Sequence, residues 1–172
     1  MSGAGDAPSQ HRSYAPKSVA CMVVTVSDSR SLDTDTSGKS IQELLEAQGH
    51  SVAERYIVPD EPDRVRGAVL RAIARSDVDV AIVTGGTGVS PRDSTTDTIE
   101  PLLDRCLDGF GELFRALSFE EIGAAALLSR ALAGTAERTA VFVTPGSSGA
   151  VRLAMERLIL PELGHLVGQL RR

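Results

Sequence analysis

The sequence predicts an α/β fold, a parallel sheet held between layers of helices, and three observations carry that expectation. Val19 to Val26, Val78 to Thr84 and Thr139 to Thr144 are nearly continuous in β-branched and apolar residues, the pattern of strands buried on both faces. Each run ends in small or turn-forming residues: Ser27-Asp28-Ser29, Gly85-Gly86-Thr87-Gly88, and Pro145-Gly146-Ser147-Ser148. Between the runs lie segments of helical period, the crossovers that parallel strands require.

Residues 1–17 are rich in Gly, Ala, Pro and Ser and lack a hydrophobic period, so they read as a flexible tail ahead of a single domain over 18–172. After the first strand, Ser37 to Gln48 places Ile41, Leu44 and Leu45 on one helical face before Gly49. Ser51 to Val58 is a fourth strand, and Asp63 to Arg75 is a second crossover helix with Val65, Val69 and Ile73 on its apolar face. A helix is expected from Asp97 onward, with Asp93 or Ser94 as a possible cap. Ser118 to Leu132 opens with the capping box Ser118 and Glu121 and stops at Gly134, which predicts another helix. Ala150 to Leu170 predicts a long helix kinked near Pro161.

Composition narrows the function. The 172 residues hold 18 basic and 23 acidic side chains, a net charge of −5, and no run of Lys or Arg, so the electrostatic footprint of a nucleic-acid binder is missing. The longest apolar stretch, Ile122 to Leu128, is far below the roughly 20 residues that cross a bilayer, and the amino-terminal segment carries no signal-peptide core; a cytoplasmic protein is expected. Cys21 and Cys106 are far apart, each within an apolar segment, and read as reduced core thiols rather than zinc ligands or a disulfide.

In open α/β sheets ligands bind beyond the carboxyl ends of the strands, which makes the small-residue loops the place to look for a site. Asp33 to Ser40, DTDTSGKS, ends like a P-loop but has Asp33 where the first glycine should stand and Asp35 where phosphates would lie; it reads as a solvated turn and helix start. Gly86 and Gly88 lack the third glycine of a dinucleotide fingerprint. Gly85 to Asp93, GGTGVSPRD, has two readings. Its glycines can let the backbone approach a bulky anion, with Arg92 adding a charge-assisted bond, or they can simply turn the chain. Asp60 and Asp93 both follow strands. Beside phosphates they would require a cation such as Mg²⁺, which suggests magnesium-dependent chemistry on a nucleotide or phosphate ester; the plainer alternative for Asp60 is a solvated loop carboxylate.

No histidine stands beside a strand-end loop, so a hydrolytic triad is disfavoured, as is catalysis by either cysteine. Gly109 to Gly134 concentrates Phe110, Phe114 and Phe119 in a chain with only six aromatic residues. Phe114 and Leu127 are read as core, while Glu112, Glu120, Ser129 and Arg130 are polar residues suited to a cleft or a subunit boundary.

Several segments, in this order, resemble the MoaB/Mog family of molybdenum-cofactor biosynthesis proteins: Thr25 to Arg30, Asp35 to Gly38, Val83 to Thr95, Gly109 to Arg115, Ser118 to Gly123, Ser129 to Gly134 and Thr144 to Val151. The stretch GFGELFRALSFEEIG looks closer to the MoaB branch. The resemblance implies a three-layer α/β/α domain with a mostly parallel sheet, assembled as a homotrimer or a dimer of trimers, with molybdopterin bound at the strand-end loops. It further implies Mg²⁺-dependent adenylyl transfer from ATP to the terminal phosphate of molybdopterin. By position, it makes Asp60 and Asp93 the catalytic, magnesium-associated carboxylates and Gly85, Gly86, Thr87 and Gly88 the phosphate cradle; Ser27, Pro145, Gly146 and Ser147 would line the pterin and nucleotide pocket. Many relatives have Pro-Glu after the Arg-Asp-x-Thr run, whereas Thr96-Asp97 follow here, which leaves the role of Asp97 open. The competing readings are a catalytically silent pterin-binding protein of the same fold and an unrelated α/β nucleotide-binding module.

Overall fold

The computed structural model describes residues 15–172. Of the tail expected over 1–17, residues 1–14 lie outside the described residues; Ala15 and Pro16 pack against Gly164. The order of elements is β1 (Ala20–Val26), α1 (Thr36–Ala47), β2 (Ser51–Val58), α2 (Pro62–Ala74), β3 (Val80–Thr84), α3 (Thr95–Ile99), β4 (Arg105–Cys106), α4 (Asp108–Ile122), β5 (Leu132–Ala136), β6 (Thr139–Thr144), α5 (Ser148–Ala154) and α6 (Leu160–Leu170). A 3₁₀ turn, Gly123–Leu128, follows α4.

The six strands form one sheet in the order β2-β1-β3-β6-β5-β4. β2, β1, β3 and β6 are mutually parallel, and β5 runs against both its neighbours. The alternation of side chains along each strand divides the core into two layers. Cys21, Val23, Val80, Ile82 and Phe142 face α1, α4 and the carboxyl-terminal helices through Ile41, Leu45, Phe114, Met155 and Leu163. Met22, Val24, Ala81, Val83, Val141 and Val143 face α2 and α3 through Val65, Val69 and Ile99. Each fully buried large side chain contributes about 1.5–3 kcal/mol relative to exposure, which is why the continuous apolar runs lie at the centre of the sheet.

The register aligns the strand ends. Thr25 pairs with Thr84, and Thr84 with Thr144, so β1, β3 and β6 finish level and their loops emerge on one rim. At this rim α1 begins with Asp35 as its N-cap, accepting from the Gly38 amide at 2.8 Å. Any Cβ on Gly38 would run into the Asp35 carboxylate, so Asp-x-x-Gly is a capping device here. The expected helix start is correct, but Asp35 is buried, held by the Thr25 hydroxyl at 2.8 Å and Arg55 at 3.0 Å.

Four sequence expectations give way. The helix expected over Ser118 to Leu132 is displaced: α4 already runs through Ser118, a buried interior residue, and the chain has entered β5 by Leu132. Cys106 is exposed because it sits in a two-residue strand at the sheet edge, whereas Cys21 is buried as expected. Leu127 is 84% exposed, since the 3₁₀ turn carries it away from the sheet, while Phe114 is core. The short helix begins at Thr95 rather than Asp97, and Ser94, its N-cap residue, makes no side-chain capping bond. Ahead of Pro161 the helical run continues but changes geometry: a π-turn, Met155–Ile159, joins α5 to α6, with the Leu160 amide donating to Met155 O.

Candidate functional site

The rim brings the strand-end loops together. β1 delivers Ser27 and Asp28, β2 delivers Asp60, β3 delivers Gly85 to Asp93, and β6 delivers Pro145, Gly146 and Ser147. They are stitched by main-chain and hydroxyl bonds: Ser27 N donates to Val58 O at 2.9 Å, Gly85 N to Thr144 O at 3.0 Å, Thr84 Oγ1 to Pro145 O at 3.1 Å and Ser37 Oγ to Gly146 O at 2.8 Å. A cleft of about 170 Å³ opens between Ser27, Arg30, Ser37, Thr84, Gly85 and Gly146. That is below the ~300 Å³ at which whole small-molecule pockets begin, so the cleft suits one end of a ligand. Ser147 caps α5 through its hydroxyl to the Ala150 amide at 3.3 Å.

The glycine loop is built for close approach. Gly85 and Gly86 hold φ of +101° and +65°, a region that side chains rarely adopt. A Cβ on Gly86 would lie 3.0 Å from Asp60 Oδ2 and collide with Thr95 Oγ1; one on Gly88 would lie 2.7 Å from Asp93 Oδ2. Both carboxylates therefore press directly on the loop backbone. Thr87 is buried beneath it. The Thr95 hydroxyl is buried there without a hydrogen-bond partner, as is that of Thr144 at the end of β6.

The two carboxyls are shifted in opposite directions. Burial lifts the Asp60 carboxyl above its ordinary value, and the negative charges of Asp93 and Asp28 add to that lift. Asp93 is held below its ordinary value, foremost by the Ser90 hydroxyl at 2.6 Å, with the Ser90 amide at 3.0 Å assisting. Three acidic side chains thus influence one another across the loops, yet among the described residues no three His, Cys, Asp or Glu form a ready metal cage. This donor set fits magnesium, which takes one or two carboxylates and completes its shell with substrate oxygens and water.

Two further residues complete the site: Asp28, and Arg130, which the sequence suited to a cleft or a subunit boundary and which the fold brings to the glycine loop. Asp28 accepts from the Asp60 amide at 3.0 Å and forms a short ion pair with Arg92, so Arg92, expected to meet a phosphate, is tied across the rim. Its only sequence signal was its place directly after a strand. Arg130 reaches the glycine loop from the far side of the chain. Its guanidinium donates to the carbonyls of Gly88, at 2.8 Å, and Asp93, and to Asp97 Oδ2 at 2.7 Å. Asp97 faces Arg130 in an ion pair, which answers the question the Thr96-Asp97 departure raised.

Fold and rim together define an α/β protein with a glycine cradle backed by carboxylates at the ends of its parallel strands. Residues 22–165 match the family model described as "Probable molybdopterin binding domain", and the chain belongs to that family. It is 51% identical over 162 residues to molybdenum cofactor biosynthesis protein B of Halalkalibacterium halodurans, covering 94% of this chain and 95% of the relative. A crystal structure of a molybdenum cofactor biosynthesis protein B superposes with a TM-score of 0.90 at 52% identity, covering 92% of this chain and 99% of the other. The tungsten cofactor synthesizing protein MoaB from Pyrococcus furiosus superposes at 0.82 with 41% identity, over 92% and 100%. The Mog protein from Mycobacterium ulcerans superposes at 0.81 with 30% identity, over 91% and 99%. The expected family and three-layer fold stand, and the chain takes its place among proteins of molybdenum cofactor biosynthesis.

Proposed function

We propose that this protein binds molybdopterin and transfers AMP from Mg-ATP to its terminal phosphate, releasing pyrophosphate. The observation that carries the reading is the pressing of Asp60 and Asp93 against Gly86 and Gly88, with a buried unpaired hydroxyl, Thr95, beside them. Such a cradle lets phosphate oxygens approach the backbone, and the negative charges of Asp93 and Asp28 beside Asp60 favour a cation there. The relatives' role in molybdenum cofactor biosynthesis supplies the pterin.

In this reading a terminal phosphate oxygen of molybdopterin attacks the α-phosphorus of ATP, the bond from that phosphorus to the bridging oxygen breaks, and pyrophosphate leaves. Such a transfer requires positioning and charge neutralisation and no covalent residue, which suits a rim without a nucleophile–base pair. Asp60 and Asp93 would hold Mg²⁺, which neutralises phosphate charge when bound. Gly85 to Gly88 admit the phosphates, Ser27, Pro145, Gly146 and Ser147 flank the end of the ligand seated in the cleft, and Arg92 exchanges Asp28 for a phosphate oxygen.

Self-association belongs to the same proposal. Phe119, Ile122, Leu127 and Leu128 expose an apolar strip along the end of α4 and the 3₁₀ turn, the kind of surface a second copy covers in a homotrimer or hexamer. Both cysteines are free thiols, in keeping with a reducing cytoplasm. No described helix is long and apolar enough to cross a membrane.

The test is incubation of the purified protein with molybdopterin and Mg-ATP. Adenylylated molybdopterin and pyrophosphate are expected, and both disappear in Asp60→Ala and Asp93→Ala. Molybdopterin binding without product overturns adenylyl transfer and makes the protein a silent pterin binder.

A further inference from the structure

Between Gly88 and Asp93 the chain has no regular structure, and Val89 is 65% exposed. Its two ends nevertheless meet at one side chain. Arg130 donates from Nε to the Gly88 carbonyl and from Nη2 to the Asp93 carbonyl, so one rigid planar group spans both ends of the loop. From Nη1 it binds Asp97 at 2.7 Å, which anchors the guanidinium to α3. The arginine side chain is 31% exposed and Asp97 68%, so an ion pair of this exposure adds little to stability by itself. The geometry it enforces is the larger effect. Within the braced loop the Asp93 carboxylate turns back onto Ser90 and lies close to where Gly88 would carry a Cβ.

We propose that Arg130 is a positioning residue for the site: by bracing the carbonyls of Gly88 and Asp93 it fixes the loop in which the Asp93 carboxylate is held against Ser90 and Gly88, and Asp97 holds the brace in place. The kinetic part of this inference rests on the adenylyl-transfer reading; the structural part does not. Lysine cannot replace the brace, since a single ammonium does not present the planar fork that spans two carbonyls and a carboxylate. Because Arg130 directly follows the exposed strip Gly123–Leu128 and Ser129, it is also the covalent neighbour of the surface assigned to self-association.

The test compares wild type with Arg130→Lys, Arg130→Gln, Asp97→Asn and Asp97→Glu by two readouts. The first is adenylyl transfer as a function of Mg²⁺ concentration. A displacement of about 1 Å lowers rate by roughly 100-fold, so Arg130→Lys and Arg130→Gln are expected to lose about 10- to 100-fold in kcat. They also need more Mg²⁺ for half-maximal rate, while molybdopterin Kd changes less than kcat because the β1 and β6 loops that flank the ligand's end are untouched. Asp97→Asn shows the same shift more weakly, and Asp97→Glu restores it. A lowered kcat with an unchanged Mg²⁺ requirement means fewer folded molecules and overturns the proposal, as does wild-type behaviour of Arg130→Lys.

The second readout is amide hydrogen exchange of the ligand-free proteins. Faster exchange confined to residues 89–93 in Arg130→Gln supports the brace, and unchanged exchange overturns it. If wild type transfers no AMP, the adenylyl-transfer reading fails on its own and exchange alone decides the brace.

Discussion

The two halves of the sheet do different work. In the parallel half, β1, β3 and β6 end in register at Thr25, Thr84 and Thr144, so three separate loops arrive at one rim and converge on the Gly85 to Asp93 turn. In the antiparallel edge, β5 starts beside Val143 at the rim and runs away from it, β4 is only two residues long, and the adjoining α4 and 3₁₀ turn present Phe119 and Leu127 to solvent. One half gathers polar groups around strained glycines; the other exposes apolar area and reaches the site through Arg130. Register alone creates a site when strands run parallel, whereas an edge with reversed direction is free to serve as a surface.

The sharpest way to break this contrast is to remove a carboxylate from the rim. Asp93→Ala and Asp60→Ala are expected to lower adenylyl transfer by on the order of 100- to 1,000-fold or more, with the assembly unchanged by light scattering. Conversely, Leu127→Ser with Phe119→Ser is expected to shift the scattering mass to a smaller species. The monomer's fold, read by circular dichroism, is retained because both side chains are exposed. A monomeric wild type would remove the assigned purpose of the strip.

Glycine substitutions come next in size. Gly86→Ala combines φ of +65° with a Cβ that meets Asp60 and Thr95, and should cost about 1–3 kcal/mol or more. In a domain of this length each kcal/mol lowers Tm by roughly 2–4 °C. Gly149→Ala, where a Cβ meets nothing, should leave Tm unchanged or slightly higher.

The smallest effects separate the two acids. The Asp60 carboxyl is raised in the folded state, so its contribution to stability is full below the unfolded value of 3.8 and is lost as pH rises through the raised folded value. At pH 7 its charge is a burden, and Asp60→Asn should keep or slightly raise Tm. The Asp93 carboxyl is depressed, so its contribution is present above 3.8 and is lost as pH falls through the lowered folded value. Asp93→Asn should therefore lower Tm at pH 7, and thermal scans of the pair should converge on acidification.

The same division governs what the sequence reveals. The apolar runs of β1, β3 and β6 are legible because burial on both faces leaves no room for polar alternation. Their loops are legible because turns need Gly, Pro and Ser. β5, with the sequence LAGTA, has too little β-branched character to announce a strand, and the apolar period of α4 and the 3₁₀ turn runs straight into it. Leu127 shows that apolar spacing does not distinguish a core position from an exposed one. The site's candidate residues were legible as positions, but its partnerships were not. Arg92 with Asp28 and Arg130 with Gly88 pair across 64 and 42 residues, and no local pattern encodes such contacts.

The most direct test of the central claim is amide hydrogen exchange of the intact protein with and without molybdopterin and Mg-ATP. The account predicts slowed exchange at residues 27–30, 85–93 and 146–148, with residues 119–128 unaffected. Ligand-induced protection confined to 119–128, with the rim loops exchanging as before, would contradict it.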